Sequence, residues 1–264
     1  MNNGYIGVVD SGVGGLDILN VLVKAFPNEN FYYIGDNLNL PYGAKSKEQL
    51  EHYGITLAKY LKNNNTKMIL IACNTLSLNA IHAMRMHVDI PIYGIVRPTI
   101  KGMLNDNDIK SILLIATRAT INSHRYVDFL NELGPEINVY DVATPELVDY
   151  IEANKPELYN VTIKKYVDAY QDKVDGIILG CTHYPIIKDY FKKLYPHLKI
   201  FDAREQMKQL CFEKLKENNI VASANNKREI IIHATKSIIQ LQNASAHFFN
   251  YQDTILKEGG ISFE

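Results

Sequence analysis

Tyr5-Ile6-Gly7-Val8-Val9-Asp10-Ser11-Gly12-Val13-Gly14-Gly15-Leu16 is an apolar run that ends in an acid, passes through a glycine-rich turn and opens an amphipathic stretch. Its first five residues do not alternate apolar with polar, which is how a strand covered on both faces reads. The same grammar recurs downstream. Phe31–Ile34, Met68–Ala72 and Ile92–Val96 are short apolar runs, and the segments between them, roughly 14–26, 46–62 and 76–88, have helical length. In 46–62, Leu50, Tyr53, Leu57, Tyr60 and Leu61 recur at three- and four-residue spacings behind Ser46, a residue type that caps helix N-termini. Apolar strands alternating with helices predict an α/β fold with mostly parallel sheets.

The pattern then repeats. Candidate strands begin near 111, 137, 176 and 199, each about 107 residues after its counterpart near 5, 31, 68 and 92. Thr144-Pro145 reads as an N-cap followed by proline at the first helical position, opening a helix through Leu147, Val148 and Ile151. Residue identity between the halves is slight, so the repeat lies in the architecture. The expectation is two similar α/β domains related by a pseudo-twofold axis. One comprises 1–97 plus 206–264 and carries Asp10 and Cys73; the other comprises 98–205 and carries Glu152, Cys181 and His183. The tail adds a helix from about 206, a strand at Glu229–His233 and a helix near 236–248, and is expected to return to one of the two units.

Composition removes whole classes. The chain has 264 residues, 28 Lys+Arg against 29 Asp+Glu, and a net charge of -1. A protein that grips nucleic acid through its phosphates carries a basic excess, so no nucleic-acid partner is expected. No run approaches the ~18 apolar residues of a membrane span. The first residues lack a basic stretch followed by an apolar one, so no secretory signal is expected. Three cysteines do not make a disulfide framework, and a cytoplasmic location fits them.

Ligands of parallel α/β sheets bind beyond the carboxyl ends of the strands. After the first strand stands Asp10-Ser11-Gly12; after the third, Cys73-Asn74-Thr75; after the seventh, Cys181-Thr182-His183. The two cysteines hold equivalent places in the two halves, each expected to have a helix start behind it, which favours the thiolate. Facing halves would put the thiols across a cleft from one another. Cys211, inside an amphipathic stretch, reads as core filler. There is no Cys-x-x-Cys pair, and Cys-x-His is not a usual zinc spacing, so no metal is expected. Gly12-Val13-Gly14-Gly15 suggests a dinucleotide loop, with Asp36 as the ribose acid. A full fingerprint needs glycine at 17, where this chain has Asp17, a carboxylate that would repel a pyrophosphate. The glycines read better as a place where backbone approaches a small ligand, with free amides suited to a carboxylate. His183, two residues from Cys181, could adjust that thiol. Asp10 could serve Cys73, and Glu152 by itself reads as a solvated acid ending a helix.

Two thiols facing one carbon suit stereochemical inversion: a thiolate removes a proton from one face and a thiol delivers one to the other. A reference thiol pKa near 8.5 leaves both forms within reach close to neutrality. No lysine motif for pyridoxal phosphate is evident.

Val9-Asp10-Ser11-Gly12-Val13-Gly14-Gly15-Leu16, Gly35-Asp36, Pro41-Tyr42-Gly43, Ala72-Cys73-Asn74-Thr75 and Gly180-Cys181-Thr182-His183-Tyr184-Pro185 together resemble the glutamate racemases. The resemblance implies two α/β domains with the active site between them. It also implies interconversion of L- and D-glutamate without a cofactor, supplying D-glutamate for peptidoglycan, with dimers common. Carried over by motif, Cys73 and Cys181 are the acid–base pair, Asp10 assists Cys73, and Glu152 and His183 assist Cys181. Asp10, Ser11, Tyr42, Gly43, Asn74, Thr75, Thr182 and His183 contact substrate. The chain departs from the family pattern at Leu76, where alanine is common, and at Thr144-Pro145-Glu146, where Cys-Pro is frequent. Arg97 and Arg118 are further departures. A racemase of aspartate, a dinucleotide oxidoreductase, an amino-acid-binding protein without catalysis and a hydrolase using Cys181 and His183 are the competing readings; the last leaves Cys73 unexplained.

Overall fold

The computed structural model describes residues 1–134 and 137–263. Its strands are β1 (Tyr5–Asp10), β2 (Asn30–Gly35), β3 (Thr66–Ile71), β4 (Ile92–Gly94), β5 (Ser111–Ala116), β6 (Asn138–Ala143), β7 (Gly176–Gly180), β8 (Lys199–Phe201), β9 (Ile230–Ala234) and β10 (Ile255–Glu258). They form two parallel sheets, ordered β10-β9-β2-β1-β3-β4 and β6-β5-β7-β8. Within each, the four repeated strands take the order second, first, third, fourth. The repeat of about 107 residues is therefore a repeat of topology. The tail returns to the first sheet, where β9 pairs with β2.

Burial explains the pattern that announced the strands. β3 and β7 are buried at every residue, whereas β6, at an edge, alternates towards solvent. The core has three layers. A central one is shared by the facing sides of both sheets, with Ile6, Val8 and Met68 from the first and Ile112, Leu114 and Ile178 from the second. The helices Gly14–Ala25, Val96–Leu104 and Arg204–Glu217 fill it, and Cys211 lies fully buried among them. Outer layers cover the far side of each sheet.

Local chemistry sets the helix boundaries. Ser46 caps the helix Lys47–Asn63 in a reciprocal pair of bonds with Gln49. The single helix expected over 76–88 is two, Asn74–Asn79 and Ile81–His87. At the break, Asn79 Nδ2 donates to the Thr75 carbonyl at 2.8 Å, competing with the backbone ladder. Thr144 precedes the helix Pro145–Glu152 but does not cap it; its hydroxyl is 2.6 Å from Tyr184 Oη instead. Behind Cys181 comes a short 3₁₀ turn, Tyr184–Ile187, before the helix Lys188–Leu194, so the expected helix start directly after this thiol is absent. β10 escaped the sequence reading because its residues are mostly exposed and carry no apolar period. Among the described residues, no helix is long and apolar enough to cross a membrane, and no cluster of His, Cys, Asp and Glu could hold a metal.

Candidate active site

The carboxyl ends of β1, β3, β5 and β7 meet where the two sheets approach. Cys73 lies two residues past the end of β3 and caps the helix Asn74–Asn79, its Sγ accepting from the Leu76 amide at 3.5 Å. Its thiol donates towards Ser11 Oγ at 3.9 Å. Burial pushes this thiol far up from its ordinary value, and negative charge on Asp10 and on Cys181 pushes the same way. The two sulfurs are thus close enough for charge on one to disfavour charge on the other.

Cys181 follows β7, with Sγ 3.6 Å from His183 Nδ1. His183 Nε2 lies 2.6 Å from Glu152 Oε1, at the end of the helix Pro145–Glu152. Burial alone would drive the proton from this imidazole, but Cys181 and Glu152 outweigh it and hold His183 well above its ordinary value. Glu152 responds in the opposite sense: burial raises it, and the bond and charge of His183 bring it below its ordinary value. The ring thus lies between a carboxylate on one side and a sulfur on the other, and both neighbours favour its protonated form.

Asp10 is fully buried at the end of β1. Its Oδ2 accepts from the amides of Gly12 at 3.1 Å and Gly15 at 3.0 Å, and its Oδ1 from Thr182 Oγ1 at 3.1 Å. Burial nonetheless leaves its carboxyl raised, against the opposing pull of His183 and these donors. The Val13 amide donates to Glu152 Oε1 at 3.2 Å. This corrects the reading of the glycine loop. Its amides do suit carboxylates, but the ones they bind are the chain's own Asp10 and Glu152. Gly14 is required for another reason: a Cβ there would sit 2.6 Å from the Thr182 carbonyl carbon, so the loop after β1 is pressed onto the loop after β7.

The remaining motif residues gather around the thiols. Thr75 Oγ1 lies 2.8 Å from Thr117 Oγ1 and 3.1 Å from Thr120 Oγ1, and Asn74 Oδ1 accepts from Tyr126 Oη at 3.3 Å. Gly43 is packed so closely that a Cβ would lie 2.7 Å from Thr117 Cβ. Tyr42 is buried, its hydroxyl donating to Asp36 Oδ2 at 2.6 Å. Asp36 is no ribose acid. It is fully buried and also accepts from Asn39 and from Thr235 Oγ1. Thr117, directly after β5, stands 64 residues before Cys181 as Asp10 stands 63 before Cys73; the sequence marks that equivalence but assigns no role to Thr117 or Thr120. The departures from the family pattern divide. Leu76 lies buried against Cys73, whereas Glu146 faces outward to Lys165 and Tyr166, which hold it down at about 2, and Arg97 pairs with Glu132.

Both sulfurs are buried, at 4% and 6% exposure, while the Glu152 side chain is 23% exposed. It borders a cavity of 630 Å³ lined also by Val13, Leu40, Pro41, Val148 and Leu241, at the rim between the sheets. The arrangement offers two buried thiols, Cys73 in range of the Asp10 carboxyl and Cys181 beside an imidazole that is itself bonded to Glu152.

Comparison with known proteins agrees with this geometry. Residues 6–203 match the family model of the Asp/Glu/hydantoin racemases. The chain is 37% identical over 231 residues to a glutamate racemase of Sulfurihydrogenibium sp., covering 86% of this chain and 87% of that one. It is 36% identical over 230 residues to a glutamate racemase of Persephonella marina, with the same coverage. The glutamate racemase of Francisella tularensis, solved in complex with D-glutamate, superposes with a TM-score of 0.90 at 30% identity, over 100% of this chain and 99% of that one. The protein belongs to the Asp/Glu/hydantoin racemase family.

Proposed function

We propose that this amino-acid racemase interconverts L- and D-glutamate through Cys73 and Cys181. The observation that carries the reading is the placement of two buried thiols at equivalent strand ends of two repeated sheets, in range of each other's charge. In one direction the Cys181 thiolate takes the α-proton, and the electron pair passes into the substrate's α-carboxylate. The Cys73 thiol then delivers its proton to the opposite face. In the reverse direction the two sulfurs exchange roles. The His183 imidazolium, itself steadied by Glu152, stands where negative charge develops on Cys181. Asp10 serves Cys73 as its neighbouring base. The carboxyls of Asp10 and Glu152 lie beside the two loops that carry the thiols, where the substrate ammonium would meet them. Ser11, Gly43, Asn74, Thr75 and Thr182 supply amide and hydroxyl groups for the carboxylates, with Tyr42 shaping the wall and Thr117 and Thr120 joining from the second sheet.

The reaction is read as cofactor-independent. Among the described residues the buried lysine is Lys67, near the start of β3, bound to Glu29 and at the far end of that strand from Cys73. The working division of the chain, 1–97 with 206–264 and 98–205, is supported by the membership of β1–β4, β9 and β10 in one sheet and β5–β8 in the other. Supply of D-glutamate for peptidoglycan, a cytoplasmic location and a homodimer are the biological setting that fits this reading.

The test is incubation with L-glutamate in deuterated water without added cofactor, following the α-proton signal and optical rotation together. Loss of both is the expected result. Retention of the α-proton and of rotation would overturn the assignment, and exchange with aspartate alone would move it to the other acidic amino acid.

A further inference from the structure

We propose that Gly259–Phe263 is a strap that positions the Tyr42–Gly43 wall of the site, acting through Tyr53. This rests on the reading of Tyr42 and Gly43 as substrate contacts. The segment leaves β10 through Gly259 and Gly260, both in the left-handed region at φ 66° and 72°, which lets the chain turn off the sheet edge. It is tied at both ends. The Gly259 amide donates to the Ala234 carbonyl at 2.9 Å, and the Gly259 carbonyl accepts from His233 Nε2 at 2.6 Å. At the far end the Phe263 carbonyl accepts from His52 Nε2 at 2.7 Å. Between the ties, Ile261 and Phe263 pack onto the outer layer of the first sheet, the same layer that contains Tyr42 and Cys73.

The contact that matters is aromatic. The Phe263 ring meets Tyr53 edge-on, with centroids 5.7 Å apart and planes at 89°, and Tyr53 stacks on Tyr42 at 5.8 Å and 29°. Tyr42 cannot shift alone. Its hydroxyl is bonded to Asp36, and the next residue, Gly43, is wedged against Thr117. Thr235, the residue after β9, grips the same loop from its other end, its Oγ1 donating to Asp36 and accepting from the Leu38 amide at 3.0 Å. The strand pair β9–β10 and the strap after it thus hold residues 36–44 on two sides, although none of them carries a reacting group. Tyr53 and Phe263 are positioning residues.

The experiment compares Phe263→Ala, Phe263→Tyr and Tyr53→Leu by steady-state kinetics in both directions and by hydrogen exchange at Ala44 and Lys45, whose amides close the turn onto Pro41 and Tyr42. One aromatic pair is worth roughly a three- to tenfold change in an equilibrium. Phe263→Ala and Tyr53→Leu are expected to raise KM and speed exchange at these amides by about that factor, with kcat within about twofold, and Phe263→Tyr to restore both. A double variant should cost no more than the worse single one. Exchange at Ala44 and Lys45 that stays at the wild-type rate in folded Phe263→Ala overturns the strap, as does a lowered melting temperature with unchanged KM. Wild-type protein that fails to racemise glutamate would instead overturn the substrate reading, and the exchange rates would still decide the strap.

Discussion

The two thiols are chemically alike and electrostatically different. Burial and the nearby Asp10 favour the neutral thiol of Cys73, while Cys181 faces an imidazole whose neighbours favour its charged form. Replacing either sulfur by oxygen removes the acid–base group with little change of volume. Cys73→Ser and Cys181→Ser should each lower turnover by about a thousandfold or more with the fold intact, since positioned acid–base groups contribute on the order of 10²–10⁴. Proton exchange measured from each enantiomer separately should show each variant failing first at abstraction from one of them; near-wild-type turnover in both directions would reject the two-thiol mechanism. The Glu152–His183 pair makes a second prediction, and its sign follows from the two shifts. Glu152, held below its ordinary value, adds stability that is present above about 4.5 and lost as pH falls through its lower folded value. His183, held above its ordinary value, adds stability that is complete below about 6.5 and lost as pH rises through its raised folded value. Glu152→Gln should therefore cost about 1–2 kcal/mol near neutrality, seen as a melting temperature lower by a few degrees, with the deficit shrinking towards pH 4. Equal deficits at both pH values would mean that charge is not what Glu152 contributes.

At the scale of elements, the glycine loop after β1 and the loop after β7 form one unit. The Gly14 Cα faces the Thr182 carbonyl carbon so closely that any side chain must push the two loops apart. Because the obstacle is backbone, Gly14→Ala cannot be relieved by a rotamer change. It is expected to lower kcat/KM by tenfold or more while the separate sheets remain formed, measured by kinetics alongside far-ultraviolet circular dichroism. Wild-type kinetics in this variant would show that the loops can separate without loss. The element scale is also where sequence reading was uneven. Buried strands such as β3 were legible because covering both faces leaves a run such as Met68–Ile71 apolar, whereas β10 is short and mostly exposed. The helix break at Ala80 depends on a side-chain bond from Asn79, for which a residue period has no signal.

For the molecule as a whole, the central core belongs to neither sheet alone. Ile6 and Met68 from one and Ile112 and Ile178 from the other share it, with three helices between. Exposing it to separate the halves would cost apolar burial on both sides at once. Calorimetric unfolding is therefore expected as one cooperative transition, shifted upward by glutamate in proportion to the logarithm of its concentration. Two resolved transitions, only one of them moved by ligand, would show that the halves unfold independently.

From the sequence alone came the α/β class, the repeat near 107 residues, the equivalence of Cys73 and Cys181, and the motifs around them. These are properties of order and period along the chain, written in which residues must be buried and which end a strand. Only the tertiary structure decided what each polar group bonds to. It turned Asp36 from a ribose mimic into the anchor of Tyr42, gave the loop amides to Asp10 and Glu152, and brought Thr117 and Thr120 to Thr75. It also bonded Glu152, a solvated helix end when read without the family resemblance, to His183. The reason is physical: a strand's burial is local in its residues, but a hydrogen bond across two sheets joins positions as far apart as Asp10 and Thr182, and no local pattern records it.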